Sequence, residues 1–303
     1  MIMNTSGITR HQLRCLDALI RHKSYAAAAE HLLISQPALT MQIQKLESLC
    51  GFGLVDRYSK PLQLTDNALF FMPLIHQILA TFSELDDTIN GVQNRLEGEL
   101  RLGVIPTVAP YYVPDIIGPF VKANPMVRLQ VREMTTEKVL ESLQVGDIDL
   151  GIVALPMAKD YSAFETQHLF DEALWVYHQG QPELLSKAYL ELSELDDYTT
   201  FLLSEGHCLR DHVLMICGPR SLTQSKGLEY QSGSLETLVH LVDQYGGLTV
   251  IPEMTRKRMS EEQRSRTLPL DALGSFRSIV IIHRKTGYKK RLVMAFNRIA
   301  KNL

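Results

Sequence analysis

Cysteine is scarce in this chain, with four in 303 residues. None stands in a Cys-x-x-Cys pair, and no His/Cys cluster has metal-ligand spacing, so neither a structural zinc nor a cofactor is expected. No run of about twenty apolar residues exists, which excludes a membrane-spanning helix. The greasiest stretch, 69–82, is broken by Pro73, His76 and Gln77. The first residues, Met-Ile-Met-Asn-Thr-Ser-Gly, lack the basic-then-apolar order of an export signal. A cytoplasmic protein is therefore expected, in a compartment where the rare disulfides are mostly transient or sensory. A large single-sign charge is also missing, the net charge being -3. The length suits about two or three domains with real hydrophobic cores.

Two of the cysteines stand nine positions apart, Cys208 and Cys217, the first within Gly206-His207-Cys208-Leu209-Arg210-Asp211. A thiolate at neutral pH needs nearby positive charge, which His207 and Arg210 could supply. A second thiol lets an oxidised sulfur resolve to a disulfide. Two readings are open at this point: a redox pair, or two small core residues, because free cysteine is usually buried and inert.

Charge is uneven along the chain. The first 65 residues hold Arg10, Arg14, Arg21, Lys23, Lys45, Arg57 and Lys60 against Asp17, Glu30, Glu47 and Asp56, a net positive unit on an acidic body. That distribution suits a nucleic-acid partner at one end only. Within this unit Leu13, Leu16, Leu19 and Ile20 recur at helical spacing. Ser24 can cap a second, alanine-rich helix. Ser35-Gln36-Pro37 then opens a third, with serine as N-cap and proline in the first turn. Leu39, Ile43 and Leu46 fall on one face of it. Gln36, Pro37, Thr40, Met41, Gln44 and Lys45 fall largely on the other. Two short helices and a tight connection make a helix-turn-helix that offers its second helix to a major groove. Gln and Thr near that helix start can reach base edges. Residues 51–64 would form a wing, with Arg57 and Lys60 meeting phosphates.

Ala28-Ala29-Glu30-His31-Leu32, Ser35-Gln36-Pro37-Ala38-Leu39-Thr40, Gln42-Ile43, Leu46-Glu47, Gly51, Arg57 and Leu64-Thr65 resemble the winged-helix signature of LysR-type transcriptional regulators. Departures are mild: Val55 replaces an aromatic residue, Asn67-Ala68 an Ala-Gly pair and Cys50 a leucine. The helical stripe Leu69, Phe70, Leu74, Ile78, Phe82, Leu85 and Ile89 then looks like the linker helix through which that family dimerises. Such a stripe is too long to be buried against the small winged helix alone. Pro73 would kink this helix or lie in its first turn.

Beyond residue 97 short apolar runs alternate with helical stretches, which argues for a largely parallel α/β sheet. The spacing suggests two lobes with a cleft, as in solute-binding proteins. The organisation expected is a winged helix-turn-helix (1–65), a linker helix (66–96) and a two-lobed α/β regulatory domain (97–303). Lobe I takes about 98–170 and 276–303, and lobe II about 171–275.

Ile105-Pro106-Thr107-Val108, Leu169-Phe170-Asp171-Glu172, the Gly206–Asp211 element with Cys217, Ser234-Leu235-Glu236-Thr237-Leu238, Gly247-Leu248-Thr249 and Ile282-His283-Arg284 resemble the OxyR peroxide sensors within the LysR family. The resemblance implies that Cys208 reacts with hydrogen peroxide and that Cys217 is its disulfide partner. It implies that Thr107 and Thr136 hold the peroxide, and that His207 and Arg284 support negative charge. It further implies an activator that binds a double-stranded DNA operator, meets RNA polymerase and assembles as a homotetramer, a dimer of dimers. If the Cys208–Cys217 segment is helical, its ends stand roughly 13 Å apart. A disulfide needs Cα atoms within about 7 Å, so it requires that helix to unwind. Cys15 and Cys50 read as packing residues. The competing regulatory reading is a small organic effector in the interlobe cleft. A thiol peroxidase would have no use for residues 1–68, so an enzyme is not expected.

Overall fold

The computed structural model describes residues 7–56, 58–59, 62–92, 96–157, 159–217, 230, 232–271, 275–285 and 289–302. The chain divides into two compact units, with the main break between Arg95 and Leu96.

The N-terminal unit opens with α1 (Arg10–His22), α2 (Tyr25–His31) and α3 (Gln36–Cys50). Each start is capped as its sequence dictates. The hydroxyl of Thr9 accepts from Gln12 N–H, that of Ser24 from Ala27 N–H and that of Ser35 from Ala38 N–H. Leu13, Leu16, Leu19, Ala28, Ala29, Leu39, Ile43 and Leu46 bury one common core. A two-stranded wing follows, β1 (Val55–Asp56) paired antiparallel with β2 (Gln63–Leu64). The long α4 (Asp66–Val92) comes next, with Pro73 in its interior beyond the first turn.

Two faces of α4 differ. Ala68, Met72 and Ile75 pack into the winged-helix core. His76 lies 3.2 Å from Asp17 of α1, and Arg10 holds Asp86. Leu69, Phe70, Leu74, Ile78, Leu85 and Ile89 lie exposed, Phe70 at 83%. The apolar stripe read from the sequence is therefore mostly uncovered within a single chain.

The second unit begins with β3 (Gly98–Val104), α5 (Ala109–Ala123), β4 (Val127–Glu133), α6 (Thr136–Val145) and β5 (Leu150–Leu155). The 16-residue β6 (Phe164–Gln179), β7 (Thr200–Phe201), α7 (Cys208–Cys217), α8 (Leu235–Tyr245) and β8 (Gly247–Pro252) follow. Then come α9 (Glu253–Arg258), α10 (Glu261–Ser265), β9 (Thr267–Pro269), β10 (Phe276–Arg284) and α11 (Lys290–Ala300). The strand order is β4-β3-β5-β10-β6-β8-β7, with β9 also on β6.

The expectation of a largely parallel sheet is corrected by this pairing. β3 runs parallel to β4 and β5, and β7 to β8, but β10 is antiparallel to both β5 and β6, and β6 to both β8 and β9. The reason is that the chain returns. β6 pairs with β10 up to Ala173 and with β8 from Leu174 onward, so one strand serves both lobes. Its first half, Phe-Glu-Thr-Gln-His-Leu-Phe-Asp-Glu-Ala, is too polar to announce itself as a strand.

Each lobe has its own core. Leu102, Val104, Ile152, Val153, Ile281, Phe120 and Phe296 lie in one, and Leu174, Val176, Leu238, Val242, Leu248 and Val250 in the other. Gly151 on β5 lets α6 lie close on the sheet. A Cβ there would sit 2.5 Å from Val139 Cγ1, a clash no side chain tolerates. That close approach fixes where the start of α6 lies.

Candidate functional site: a buried thiol between two cores

Cys208 is the first residue of α7, and the backbone N–H of Asp211 bonds to the carbonyl of His207 at 3.2 Å. Residue 208 thus sits at the positive end of a helix dipole, where negative charge is stabilised. Its side chain is 2% exposed and packs with the first lobe's core, whereas Leu209 and Val213 of the same helix are buried in the second. The helix therefore bridges two cores through neighbouring faces. Gly206, at φ 85, makes the turn into it, and a Cβ there would lie 3.7 Å from the Thr135 hydroxyl and from the Glu137 carboxylate. The starts of α6 and α7 converge.

One buried hydroxyl in this region lacks a partner among the described residues, and two buried imidazoles lie close to it in sequence or fold. Thr136 opens α6 at 4% exposure, and its hydroxyl has no hydrogen-bond partner among the described residues. His207 and His212 are each 5% exposed, and no described residue bonds either ring. Buried polar atoms are nearly always paired, so the Thr136 hydroxyl suits something small and polar.

Burial pushes the His207 imidazole below its ordinary 6.5, although Asp211 pulls the other way. Burial does the same at His212, helped by the Arg277 guanidinium. Both rings are neutral at pH 7. The expectation that His207 supplies positive charge is corrected by this burial. Its Nε2 faces Gly233, at 3.8 Å from where a Cβ would stand. The Arg210 guanidinium turns back to the Leu203 carbonyl at 3.2 Å.

The positive charge beside Thr107 is Arg277. Its guanidinium is fully buried and reaches Glu172 through Nε at 2.9 Å and Nη2 at 2.7 Å. It donates from Nη1 to the Thr107 hydroxyl at 2.8 Å and from Nη2 to the Thr107 carbonyl at 3.2 Å. The second Glu172 oxygen accepts from the Met254 N–H at 2.7 Å. Thr107 is 3% exposed and does not cap α5, which starts without a side-chain cap. With its oxygen accepting from Arg277, its own O–H remains to be donated.

Arg284 does not share this arrangement. It ends β10, opposite Phe164, while Arg277 stands seven residues earlier, opposite Glu172. A strand carries those positions about 23 Å apart. Register thus brings Arg277 to Thr107 and sets Arg284, expected at the pocket, at the other end of β10. Cys217 ends α7, and its side chain lies outside the described residues, as do Gly218 and Pro219. Burial raises both Cys15 and Cys50, and Cys15 is fully buried.

On the N-terminal unit, Ser35, Gln36, Pro37, Met41, Gln44 and Lys45 are exposed along α3. Leu39, Ile43 and Leu46 are buried on its other face. Thr40 is half-buried, and its hydroxyl donates to the Gln36 carbonyl at 3.0 Å. Arg57 and Lys60 lie outside the described residues.

The sequence profile of the bacterial regulatory helix-turn-helix protein, lysR family, matches residues 10–69, and that of the LysR substrate binding domain matches residues 93–302. The chain belongs to the LysR family. Among curated relatives, the hydrogen peroxide-inducible genes activator of Pectobacterium carotovorum subsp. carotovorum is 29% identical over 272 residues, covering 90% of this chain and 89% of its own. The HTH-type transcriptional regulator EstR of Acinetobacter baylyi is 30% identical over 243 residues, covering 80% of this chain and 79% of its own. A solved full-length OxyR variant from Pseudomonas aeruginosa matches with a TM-score of 0.81 at 26% identity, over 97% of each chain. This LysR-family protein is OxyR-like in sequence and fold. Overall identity alone does not separate a peroxide sensor from other members, so the site residues carry the distinction.

Sequence reasoning missed Glu172 and Arg277 as a pair, and His212 altogether. Signals were present. Arg277 heads the apolar run of β10, and His212 stands one helical turn after Cys208, where i and i+4 share a face.

Proposed function

We propose that this protein is a hydrogen-peroxide-responsive transcription activator whose sensing thiol is Cys208. The observation that carries the reading is that thiol's place at the start of α7, near the unpartnered Thr136 hydroxyl and buried imidazoles. The Thr136 hydroxyl and the O–H of Thr107 would hold peroxide by hydrogen bonds, and neutral His207 would act as a hydrogen-bonding group. Sulfur attacks one oxygen, the O–O bond breaks, and sulfenic acid and water result. Cys217 then displaces water to give the Cys208–Cys217 disulfide. Because α7 is continuous between these residues, its ends stand roughly 13 Å apart. The bond therefore requires α7 to unwind and Leu209 and Val213 to leave their core, a two-state element biased by a covalent event.

The output would pass through α3 to a double-stranded operator, with Ser35, Gln36, Pro37, Thr40, Gln44 and Lys45 at the groove and Arg57 and Lys60 on phosphates. The exposed stripe of α4 fits a second copy of this helix. Dimers paired into a homotetramer would carry the change to the operator and to RNA polymerase. The proposed division is 1–65 for the reader, 66–96 for the dimerising helix and 97–303 for the sensor.

The test is peptide mass spectrometry after brief, near-stoichiometric peroxide, with iodoacetamide trapping. A Cys208–Cys217 cross-link, absent in Cys208→Ser, is the expected result. Two thiols that stay alkylatable would reject the reading. They would favour an organic effector instead, for which a cavity of about 580 Å³ lined by Tyr112, Phe170, Met254 and Lys257 is the supporting observation.

DNA reading has its own test. Gln36→Ala is expected to lose about 1–3 kcal/mol of discrimination at the base pair it reads. Binding to duplexes selected from a random library measures this, and an unchanged preference in Gln36→Ala and Thr40→Ala would remove α3 as the recognition helix.

A further inference from the structure

A buried thiol that reacts with peroxide must lose its proton, and the departing oxygen must gain one. The sensor reading given above leaves that proton unassigned. Of the two buried imidazoles, His207 turns its Nε2 toward Gly233, ahead of α8. His212 lies one helical turn from Cys208, and positions i and i+4 of a helix stand about 5–6 Å apart at Cβ. It is 5% exposed, no described residue bonds its ring, and it faces Arg277, whose guanidinium holds Thr107. Leu209 and Val213 lie on the neighbouring, apolar side of α7, buried in the second lobe's core.

We propose that His212 accepts the Cys208 proton during the reaction with peroxide and returns it to the departing oxygen. The electron pair of sulfur forms the S–O bond and the O–O bond breaks. Sulfur is oxidised by two electrons and peroxide is reduced. The proton taken by the ring goes to the hydroxide, so thiol and peroxide give sulfenic acid and water with the imidazole regenerated neutral. The neutral ring that this requires is what burial and Arg277 maintain at pH 7. The charge that acts on it is Arg277 on β10, itself balanced by Glu172 on β6; the neighbouring Asp211 on α7 answers instead to Arg210, Lys159, Glu137 and Glu205.

The sign follows directly. Acid protonates the ring and removes the acceptor, so the rate of Cys208 oxidation falls on the acid side, in a step that burial and Arg277 place below the ordinary imidazole range. General base catalysis is commonly worth about 10²–10⁴ in rate. The experiment is quenched-flow oxidation of the full chain between pH 5 and 8, with alkylation and mass counting of the Cys208 peptide. His212→Gln, His212→Asn and His207→Gln are compared with the unaltered protein, using whichever His212 variant keeps the native Trp175 emission. The expected result is a rate at least about 100-fold lower in the His212 variant at pH 7, with the acid-side step of the profile gone and that step kept in His207→Gln. An unaltered protein that oxidises normally beside a His212 variant of equal rate and profile would overturn this inference and leave the sensor reading standing. Loss of the step in His207→Gln instead would also overturn it. An unaltered protein in which Cys208 never reacts would reject the sensor reading itself.

Discussion

Arg277→Met is expected to destabilise the protein by about 3–5 kcal/mol, the cost of leaving one member of a buried ion pair alone. Arg277 and Glu172 side chains are 0% and 2% exposed, so water cannot solvate the carboxylate that remains. The Met254 N–H supplies one bond to Glu172 but no charge. The double variant Arg277→Met/Glu172→Gln should recover much of the loss, because removing both charges together is often near neutral. The single tryptophan, Trp175, lies on β6 three residues from Glu172, and its emission in urea follows the transition. A single variant that unfolds at the native midpoint would mean that the carboxylate finds another partner. The double variant separates stability from chemistry. It folds, yet the Thr107 hydroxyl has lost the Nη1 donor that orients it, so its reaction with peroxide should stay slow.

Leu209→Ala is expected to make the proposed Cys208–Cys217 disulfide easier to form. Leu209 is 3% exposed in the second lobe's core, beside Val213 and Leu238. Truncating a buried leucine costs about 2–5 kcal/mol. That cost falls on the helical, reduced form alone, because α7 must already have left the core in the oxidised one. A difference of about 3 kcal/mol moves a two-electron couple by about 60 mV, here to a more negative potential. Titration in dithiothreitol buffers, read by the mass of alkylated Cys208 peptide, measures it. Leu174→Ala is the control. It is 1% exposed in the same core but on β6, which does not have to move. It should lower stability without shifting the potential. Equal potentials for Leu209→Ala and the unaltered protein would sink the unwinding mechanism.

Much of the architecture was legible because it is written in short-range patterns. Ser24 and Ser35 announce helix starts, and Leu39, Ile43 and Leu46 announce which face of α3 is hidden. The two-sided character of α4 was legible too, since its stripe exceeds what a small core can cover. Cys208 stood out by chemistry and spacing. The antiparallel role of β10 was not legible, because strand direction depends on where the chain returns and not on its local composition. The Arg277–Thr107 contact was hidden by the same gap: two arginines seven residues apart on one strand look alike until register brings Arg277 to Thr107. His207 looked like a positive neighbour of the thiol because adjacency in sequence says nothing of burial.

The sequence by itself determined the helix-turn-helix, the alternation of strands and helices, and two cysteines nine positions apart, because caps, periodicity and spacing act within a few residues. Only the tertiary structure decided which charge reaches Thr107, which imidazoles are neutral, and that α7 is held between two cores. Those properties arise from desolvation and long-range pairing, as between Thr107 and Arg277, 170 residues apart.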